Sequence, residues 1–536
     1  MISCSTALIR LLEQYGVDTI FGIPGVHTIE FYRNLPSTGI RHITPRHEQG
    51  AGFMADGYAR ASGKPGVCLL ITGPGVTNAA TAMAEAYSDS VPMLCISSVN
   101  QTSELGMGGG RLHELPSQRN LTSACTVFSH TVLDPGEIPH VLARAFAVFS
   151  SGRPGPVHIE IPINLLASER EFPILNVQRV ARPGPDPQRI SEAAELISKA
   201  KRTIVILGGG AVDAGAEATK LVETLGCPAV TTIAGKGIID EANPLSLGAT
   251  LPFRKVQDLI EVAEVVLAVG TEFAETDLLY TGHVPVFNGK LIRIDIEAEQ
   301  LVRNFFPDVP ILSDARLALQ ALNKALSSTG HTAANPEITT QARNDVQTAT
   351  ANIEWLPVAN QHQRILDVIE EQLPDDTIVA CDSTQIAYTG SHYYPSTRSR
   401  QWLFPLGFGT LGYGMPAALG AKLSKPEVPV ICLTGDGGYL FTVQELATAV
   451  DEEIPIIIVV WNNDGYAEIR DAMVNADIPT IGVNLRTPDF VAMAKSFGCF
   501  GCAPQSLDEL AEEIGKAKDR TLPTVIEIHE DADFLL

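Results

Sequence analysis

Asp436 and Asn463 are the residues of this chain best suited, by type and placing, to hold a hard cation through oxygen. Gly435-Asp436-Gly437-Gly438 follows an apolar run over 428–434, and Asn462-Asn463-Asp464-Gly465-Tyr466 follows a second run over 454–461. Those runs predict two buried strands with a helix over 444–450 between them, a βαβ unit. The loops at the carboxyl ends of two such strands face the same way, so a carboxylate and an amide can converge there. Magnesium accepts so sparse a protein set when phosphate oxygens complete it. The plainer alternative is a turn before a helix and an Asn-Asp-Gly loop.

Two further segments are dense in small residues and single acids. Phe21-Gly22-Ile23-Pro24-Gly25 closes a short apolar run, and Arg46-His47-Glu48-Gln49-Gly50-Ala51-Gly52-Phe53-Met54-Ala55-Asp56-Gly57-Tyr58-Ala59-Arg60 follows it. Near the other end stands Gly407-Phe408-Gly409-Thr410-Leu411-Gly412-Tyr413-Gly414-Met415-Pro416. Its glycines also spell GxGxxG, but the segment follows no clear strand of its own, which weighs against a dinucleotide fingerprint.

Taken together, these segments resemble the signatures of thiamine diphosphate (ThDP) enzymes of the acetolactate synthase and pyruvate decarboxylase superfamily. The resemblance covers nearly the whole chain, including Gly152-Arg153-Pro154-Gly155-Pro156-Val157 and Ile294-Asp295-Ile296. It implies an α/β fold of three doubly wound parallel-sheet domains: pyrimidine-binding, middle and diphosphate-binding. It also implies that Asp436, Asn463 and the Gly465 carbonyl bind Mg2+, while Gly435, Gly437 and Gly438, with Tyr466 beside them, cradle the diphosphate. Glu48 would hydrogen-bond N1′ of the aminopyrimidine and favour its imino tautomer, tuning a cofactor that carries the hard chemistry. An apolar setting would suit such proton sharing near neutral pH. Leu411, beside Gly409, would be the apolar wedge that bends the cofactor and brings its reacting parts together. Gly25, Thr72, Asn78, Thr384 and Gln385 are further expected cofactor contacts. In the family the two cofactor-binding domains come from different subunits, so a homo-oligomer, at least a dimer and by expectation a homotetramer, is implied.

Composition is consistent with a large enzyme. A length of 536 residues suggests roughly three domains. Lysine and arginine number 38 against 62 aspartates and glutamates, a formal net charge of -24 that argues against nucleic acid or an anionic membrane as partner. No apolar run reaches the roughly 20 residues that span a bilayer, and residues 1–12 lack the charged start of a signal peptide. The nine cysteines, scattered through apolar runs as at Cys68, Cys95, Cys381 and Cys432, read as reduced and cytoplasmic. Cys499 and Cys502 form one isolated CxxC, read as structural.

Three blocks of alternating strands and helices divide the chain: 1–170, 189–326 and 364–536. Strands are expected over 19–23, 67–72, 93–97 and 157–161 in the first block and over 203–207, 265–270 and 291–296 in the second. Polar or proline-rich linkers are expected over 176–188 and 327–363, the second ending in helix.

Within the family, the fate of the decarboxylated adduct divides the members. Acetolactate synthases carry Gly after the first Pro-Gly and a Gly-Gln-His run in the last domain; this chain has Val26-His27 and Thr384-Gln385-Ile386. Pyruvate and indolepyruvate decarboxylases carry a catalytic Glu six residues after the second Asn; here Ile469 stands there, with Glu468 beside it, and the paired histidines of those enzymes are absent. The runs Phe21 to Thr28, Gly110-Arg111-Leu112-His113-Glu114-Leu115-Pro116 and Asn462 to Arg470 resemble most those of decarboxylases acting on 5-guanidino-2-oxopentanoate, the 2-oxo acid derived from arginine. That resemblance implies a lyase releasing 4-guanidinobutanal and CO2, with His113, Glu114 and Glu468 as candidate catalytic or substrate residues and His27 behind them. A guanidinium tail needs a carboxylate fork, for which Glu114 or Glu468 is the expectation. The alternatives are a carboligase making acyloins from pyruvate, to which FAD would belong, and a silent regulatory paralogue. The middle block matches no flavin-contacting signature beyond its general fold, and Glu48, Asp436 and Asn463 are all intact.

Overall fold

The computed structural model describes residues 1–172, 177, 179–278, 282–328, 330, 335–355 and 358–535. The chain divides into two compact units, one formed by Met1–Ala181, Ile378–Gln385 and Gly407–Leu536, the other by Arg182–Thr377 and Ile386–Leu406. The first and last blocks of the sequence thus share a unit, while 386–406 of the last block belongs with the middle one.

Three parallel sheets carry the fold. The first runs Arg41–Ile43, Thr19–Gly22, Gly66–Leu70, Met93–Val99, Pro156–Pro162, Phe128–Thr131. Its three middle strands, Gly66–Leu70, Met93–Val99 and Pro156–Pro162, are buried at every position, which is why they read as continuous apolar runs rather than alternating ones. The middle sheet runs Ala229–Thr231, Thr203–Leu207, Val265–Val269, Lys290–Asp295, Val309–Leu312. Within the first unit the last sheet runs Ile378–Cys381, Val430–Gly435, Ile457–Asn462, Thr524–His529, Phe500–Cys502.

The strands expected from sequence lie within a few residues of those found. Arg41–Ile43, Phe128–Thr131, Ala229–Thr231, Val309–Leu312, Ile378–Cys381, Phe500–Cys502 and Thr524–His529 were not singled out in the sequence, and all but the last are only three or four residues long. The stretch 327–363, expected as a linker, instead holds the helix Pro336–Ala351, whose Ala342, Val346 and Ala349 are buried. That helical stripe of small residues is too weakly apolar to stand out in the sequence. Parts of both expected linkers lie outside the described residues.

Two helices join the cofactor-type domains of the first unit. Glu48–Ser62 contains Gly50, Gly52 and Gly57, each costing roughly 1 kcal/mol against alanine in a helix. The close approaches explain them. A Cβ at Gly57 would collide with the Ala417 carbonyl, and one at Gly420 in the helix Gly414–Ser424 would collide with the Met54 carbonyl. Gly52 faces Ala82, and Gly50 faces the Glu445 carboxylate. Tyr413 adds a hydrogen bond from its hydroxyl to Asp56, at 2.7 Å.

Candidate active site

Glu48 is the first residue of its helix and only 8% exposed. Asn78, on the helix Pro74–Ser88, donates to its Oε2 at 2.9 Å. Gly75 leaves the space for Oε1, since a Cβ there would lie 3.3 Å from that atom and 2.8 Å from Ile71. Asn78 therefore orients the Glu48 carboxylate.

The loops around Glu48 are pinned from beneath. Thr72 bonds Ser98 Oγ through both its amide and its hydroxyl, at 3.1 and 2.9 Å. Gly73, at φ 71, donates its amide to Gln118 Oε1 at 2.8 Å. Gln118 Nε2 in turn donates to Ser97 Oγ, the Ser98 carbonyl and Glu160, each at 3.0 Å. Sequence reading missed Gln118, because nothing near it in the chain announces a partner forty-five positions away. Gly25 donates its amide to Thr28 Oγ1 at 2.9 Å, and Ile71 fills the place of the side chain it lacks.

His113, itself at φ 63, has its Nδ1 3.0 Å from the Thr72 carbonyl. A carbonyl only accepts, so Nδ1 carries the hydrogen and Nε2 is the basic nitrogen of the neutral ring. The His27 ring lies 5.3 Å from that of His113. Burial and the neighbouring His113 lower the His27 pKa, opposed by Glu104. Glu114 turns back on its own loop and accepts the amides of Gly109 and Arg111 at 3.3 and 2.9 Å. Those backbone donors, Arg111 first, hold its carboxyl below the usual range.

The second cluster lies at the carboxyl ends of the last sheet. Asp436, 1% exposed, accepts the Gly465 amide at 2.8 Å, and burial raises its pKa against the pull of the Gly437, Gly465 and Asn463 amides. Asn463 Nδ2 donates to Gln385 Oε1 at 3.2 Å, and Gln385 Nε2 reaches Glu468 at 3.4 Å. The preceding Asn462 instead bonds Glu527 and the Asp464 amide, so the two asparagines divide holding the loop from facing the site. Gly465 adopts φ 140, where a Cβ would strike the Val483 carbonyl.

The glycines here form a narrow cradle. A Cβ at Gly437 would meet the Tyr466 ring at 2.6 Å, one at Gly438 the Asp382 carboxylate at 2.9 Å, and one at Gly435 the Thr384 hydroxyl at 3.0 Å. Asp382, which sequence reading also missed, accepts the Ser383 amide at 2.9 Å and the Gly412 amide at 3.0 and 3.1 Å. Burial pushes its pKa up to about 6. It couples the segment bearing Gly409 and the half-buried Leu411 to the cradle. Glu468 is exposed on the helix Ala467–Asn475.

All the candidate residues therefore lie in one unit, in two clusters, one around Glu48 and His113 and one around Asp436 and Asn463. The contacts that tie the clusters' domains together include Glu445 with Arg46 and His47, Tyr413 with Asp56, and Gly407 with Asp89.

Comparison with known proteins accounts for this arrangement. Residues 2–121 match the N-terminal TPP binding domain of thiamine pyrophosphate enzymes, 190–322 their central domain and 382–528 their C-terminal TPP binding domain. The chain is 47% identical over 531 residues to the probable 2-ketoarginine decarboxylase AruI of Pseudomonas aeruginosa, covering 98% of this chain and 94% of that one. It is 32% identical to a probable acetolactate synthase large subunit of Methanococcus aeolicus, covering 98% and 91% of the two chains. It is 31% identical to the acetolactate synthase isozyme 1 large subunit of Escherichia coli, covering 98% and 93%. With all three domains matched in order, the chain belongs to the thiamine pyrophosphate enzymes.

Proposed function

We propose that this protein is a ThDP- and Mg2+-dependent decarboxylase converting 5-guanidino-2-oxopentanoate to 4-guanidinobutanal and CO2 in arginine breakdown. The reading is carried by the near full-length likeness to a protein named as a 2-ketoarginine decarboxylase, 2-ketoarginine being that 2-oxo acid. The residues present fit the cofactor. Gly437 and Gly438 keep an amide-lined loop narrow, with the places of their side chains taken by Tyr466 and Asp382. When bound, ThDP supplies the electron sink that loss of CO2 from a 2-oxo acid requires.

The chain's own residues then have distinct tasks. Glu48, oriented by Asn78, would be the residue that shares a proton with the aminopyrimidine. Leu411 would be the apolar residue against which the cofactor rests. Asp436, Asn463 and the Gly465 carbonyl would hold Mg2+ through one carboxylate, one amide and one backbone oxygen, a sparse set of the kind this ion accepts beside phosphate. His113, with Nδ1 committed to Thr72, offers Nε2 to the substrate carboxylate or to a proton in transit. Two copies of the chain build each site, one giving Glu48 and the other Asp436, in a dimer or tetramer. Among the described residues the nine cysteines form no disulfide, which suits the cytoplasm. Among the described residues no helix is long and apolar enough to cross a membrane.

The test is CO2 release by purified protein with ThDP and Mg2+, offering 5-guanidino-2-oxopentanoate and pyruvate separately. Fast release from the guanidino acid with 4-guanidinobutanal as product is the expected result. The likeness to acetolactate synthases makes a carboligase the second reading. Acetolactate from pyruvate, with the guanidino acid inert, would establish it instead and would call for a search for bound FAD.

A further inference from the structure

Three carboxylates stand near the Glu48 and Asp436 clusters and could receive a guanidinium: Glu114, Glu468 and Glu104. Glu114 already accepts two amides of its own loop. Glu468 is exposed and reached by the Gln385 amide. Glu104 differs from both, because it already holds a guanidinium. Arg111 Nε lies 2.8 Å from its Oε1, and the Glu104 side chain is only 12% exposed while that of Arg111 is 60% exposed.

We propose that Glu104 is the specificity residue that receives the guanidinium of the substrate tail, and that Arg111 competes with the substrate for it. The inference rests on the guanidino-acid reading above.

The geometry favours exchange. Gln101 Nε2, at 2.6 Å, and Arg111 Nε both address Oε1. The two-pronged arrangement that makes a guanidinium–carboxylate pair strong needs both oxygens. The Arg111 contact is thus a one-armed version of what a substrate could make in full. Arg111 hangs from a glycine-rich loop whose backbone Glu114 holds, while its own side chain stays exposed. Gly106, Gly108 and Gly110 all have positive φ, and nothing lies within 4 Å of where their side chains would be. Displacing an exposed arginine from such a loop costs little.

Position supports the same residue. Glu104 follows the strand Met93–Val99, at the carboxyl end of the first sheet, where ligands of parallel sheets bind. Its charge acts on His27, whose ring neighbours His113. His113 lies against Gly73, and Gly75 faces Glu48. A chain of neighbours, Glu48, Gly75, Gly73, His113 and His27, thus leads to a residue that feels the Glu104 charge, as expected if a 2-oxo acid head reacts near Glu48 and a three-carbon arm carries its charge towards Glu104.

The experiment compares 5-guanidino-2-oxopentanoate with 5-ureido-2-oxopentanoate, which has the same shape and no charge, in steady-state kinetics of wild type, Glu104→Gln, Glu104→Asp and Arg111→Met. In Glu104→Gln the ratio of kcat/KM for the guanidino over the ureido acid should fall roughly 10- to 100-fold, the size of a lost charge-assisted bond. Glu104→Asp should recover part of that ratio, and Arg111→Met should lower KM for the guanidino acid. An unmoved ratio in Glu104→Gln, or equal losses on both acids, would overturn the assignment. Wild-type protein inert on the guanidino acid would instead overturn the substrate reading itself, so the two failures are distinguishable.

Discussion

Glu445 accepts the backbone amides of Arg46 and His47, the two residues immediately before Glu48, at distances of 3.0 to 3.1 Å. It is fully buried, bonded by the Thr448 hydroxyl at 2.7 Å, and seated where Gly50 lacks a side chain. Burial raises its pKa, and those donors counter it. A carboxylate from the last domain thus fixes where the helix bearing Glu48 begins.

Glu445→Ala should therefore act in two ways. It leaves two backbone donors without their acceptor, a loss of about 2–4 kcal/mol by the usual cost of unpaired buried groups. It also loosens the start of the Glu48 helix, so kcat should fall at least tenfold. Glu445→Gln, which keeps one acceptor oxygen, should lose less of both. Urea unfolding read alongside turnover checks the pair, and an Ala variant with unchanged turnover would limit Glu445 to stability.

Glu48→Gln should bind ThDP normally while turnover drops about 10²- to 10⁴-fold, the range for removal of a group that manages a proton. Asp436→Ala should fail to retain ThDP and Mg2+, read by calorimetry. Co-expressed with separate tags and purified as mixed oligomers, the two variants should recover up to half of wild-type activity, because one site of each pair then holds an intact Glu48 and an intact Asp436. No recovery would mean that each chain builds its own site.

Gly420→Ala should destabilise the first unit despite alanine's better helix propensity. The added methyl meets the Met54 carbonyl, which is backbone and cannot rotate away. Overpacking of this kind costs about 1–3 kcal/mol, against about 1 kcal/mol regained in propensity. A lower midpoint of thermal unfolding is expected.

Glu85 supplies a pH signature. It is fully buried, 3.8 Å from Arg60, with Asp56 and Asp89 close by. Burial first, then Asp89, pushes its pKa up to about 9. The folded chain therefore holds a proton that the unfolded chain has lost above its ordinary carboxylate range. Stability relative to Glu85→Gln should then decline as pH rises from about 4.5 towards about 9 and level off beyond, with a slope of at most about 1.4 kcal/mol per pH unit. Chemical unfolding of both proteins across that range measures it, and parallel curves would contradict a neutral Glu85.

Much of the fold was legible because buried parallel strands are continuous apolar runs and their loops end in glycine and small polar residues, as at Val430–Gly435 and Ile457–Asn462. Asp436, Asn463 and Glu48 were legible for the same reason: each stands directly after such a run or opens a helix with an unusual glycine pattern. The helix Pro336–Ala351 was not, since its buried stripe of small residues differs little from a polar linker.

By itself, then, the sequence determined the three sheets and the loop positions of the chemical groups, because both follow from local periodicity and turn chemistry. Tertiary structure alone decided what those groups touch. That Glu445 holds the two residues before the Glu48 helix, and that Gln118 and Asp382 pin the glycine loops, are matters of distance across the fold, whereas Glu114 and Glu104 find their partners within one loop. The pairings across the fold depend on how sheets and helices close on one another, and no spacing along the chain encodes them.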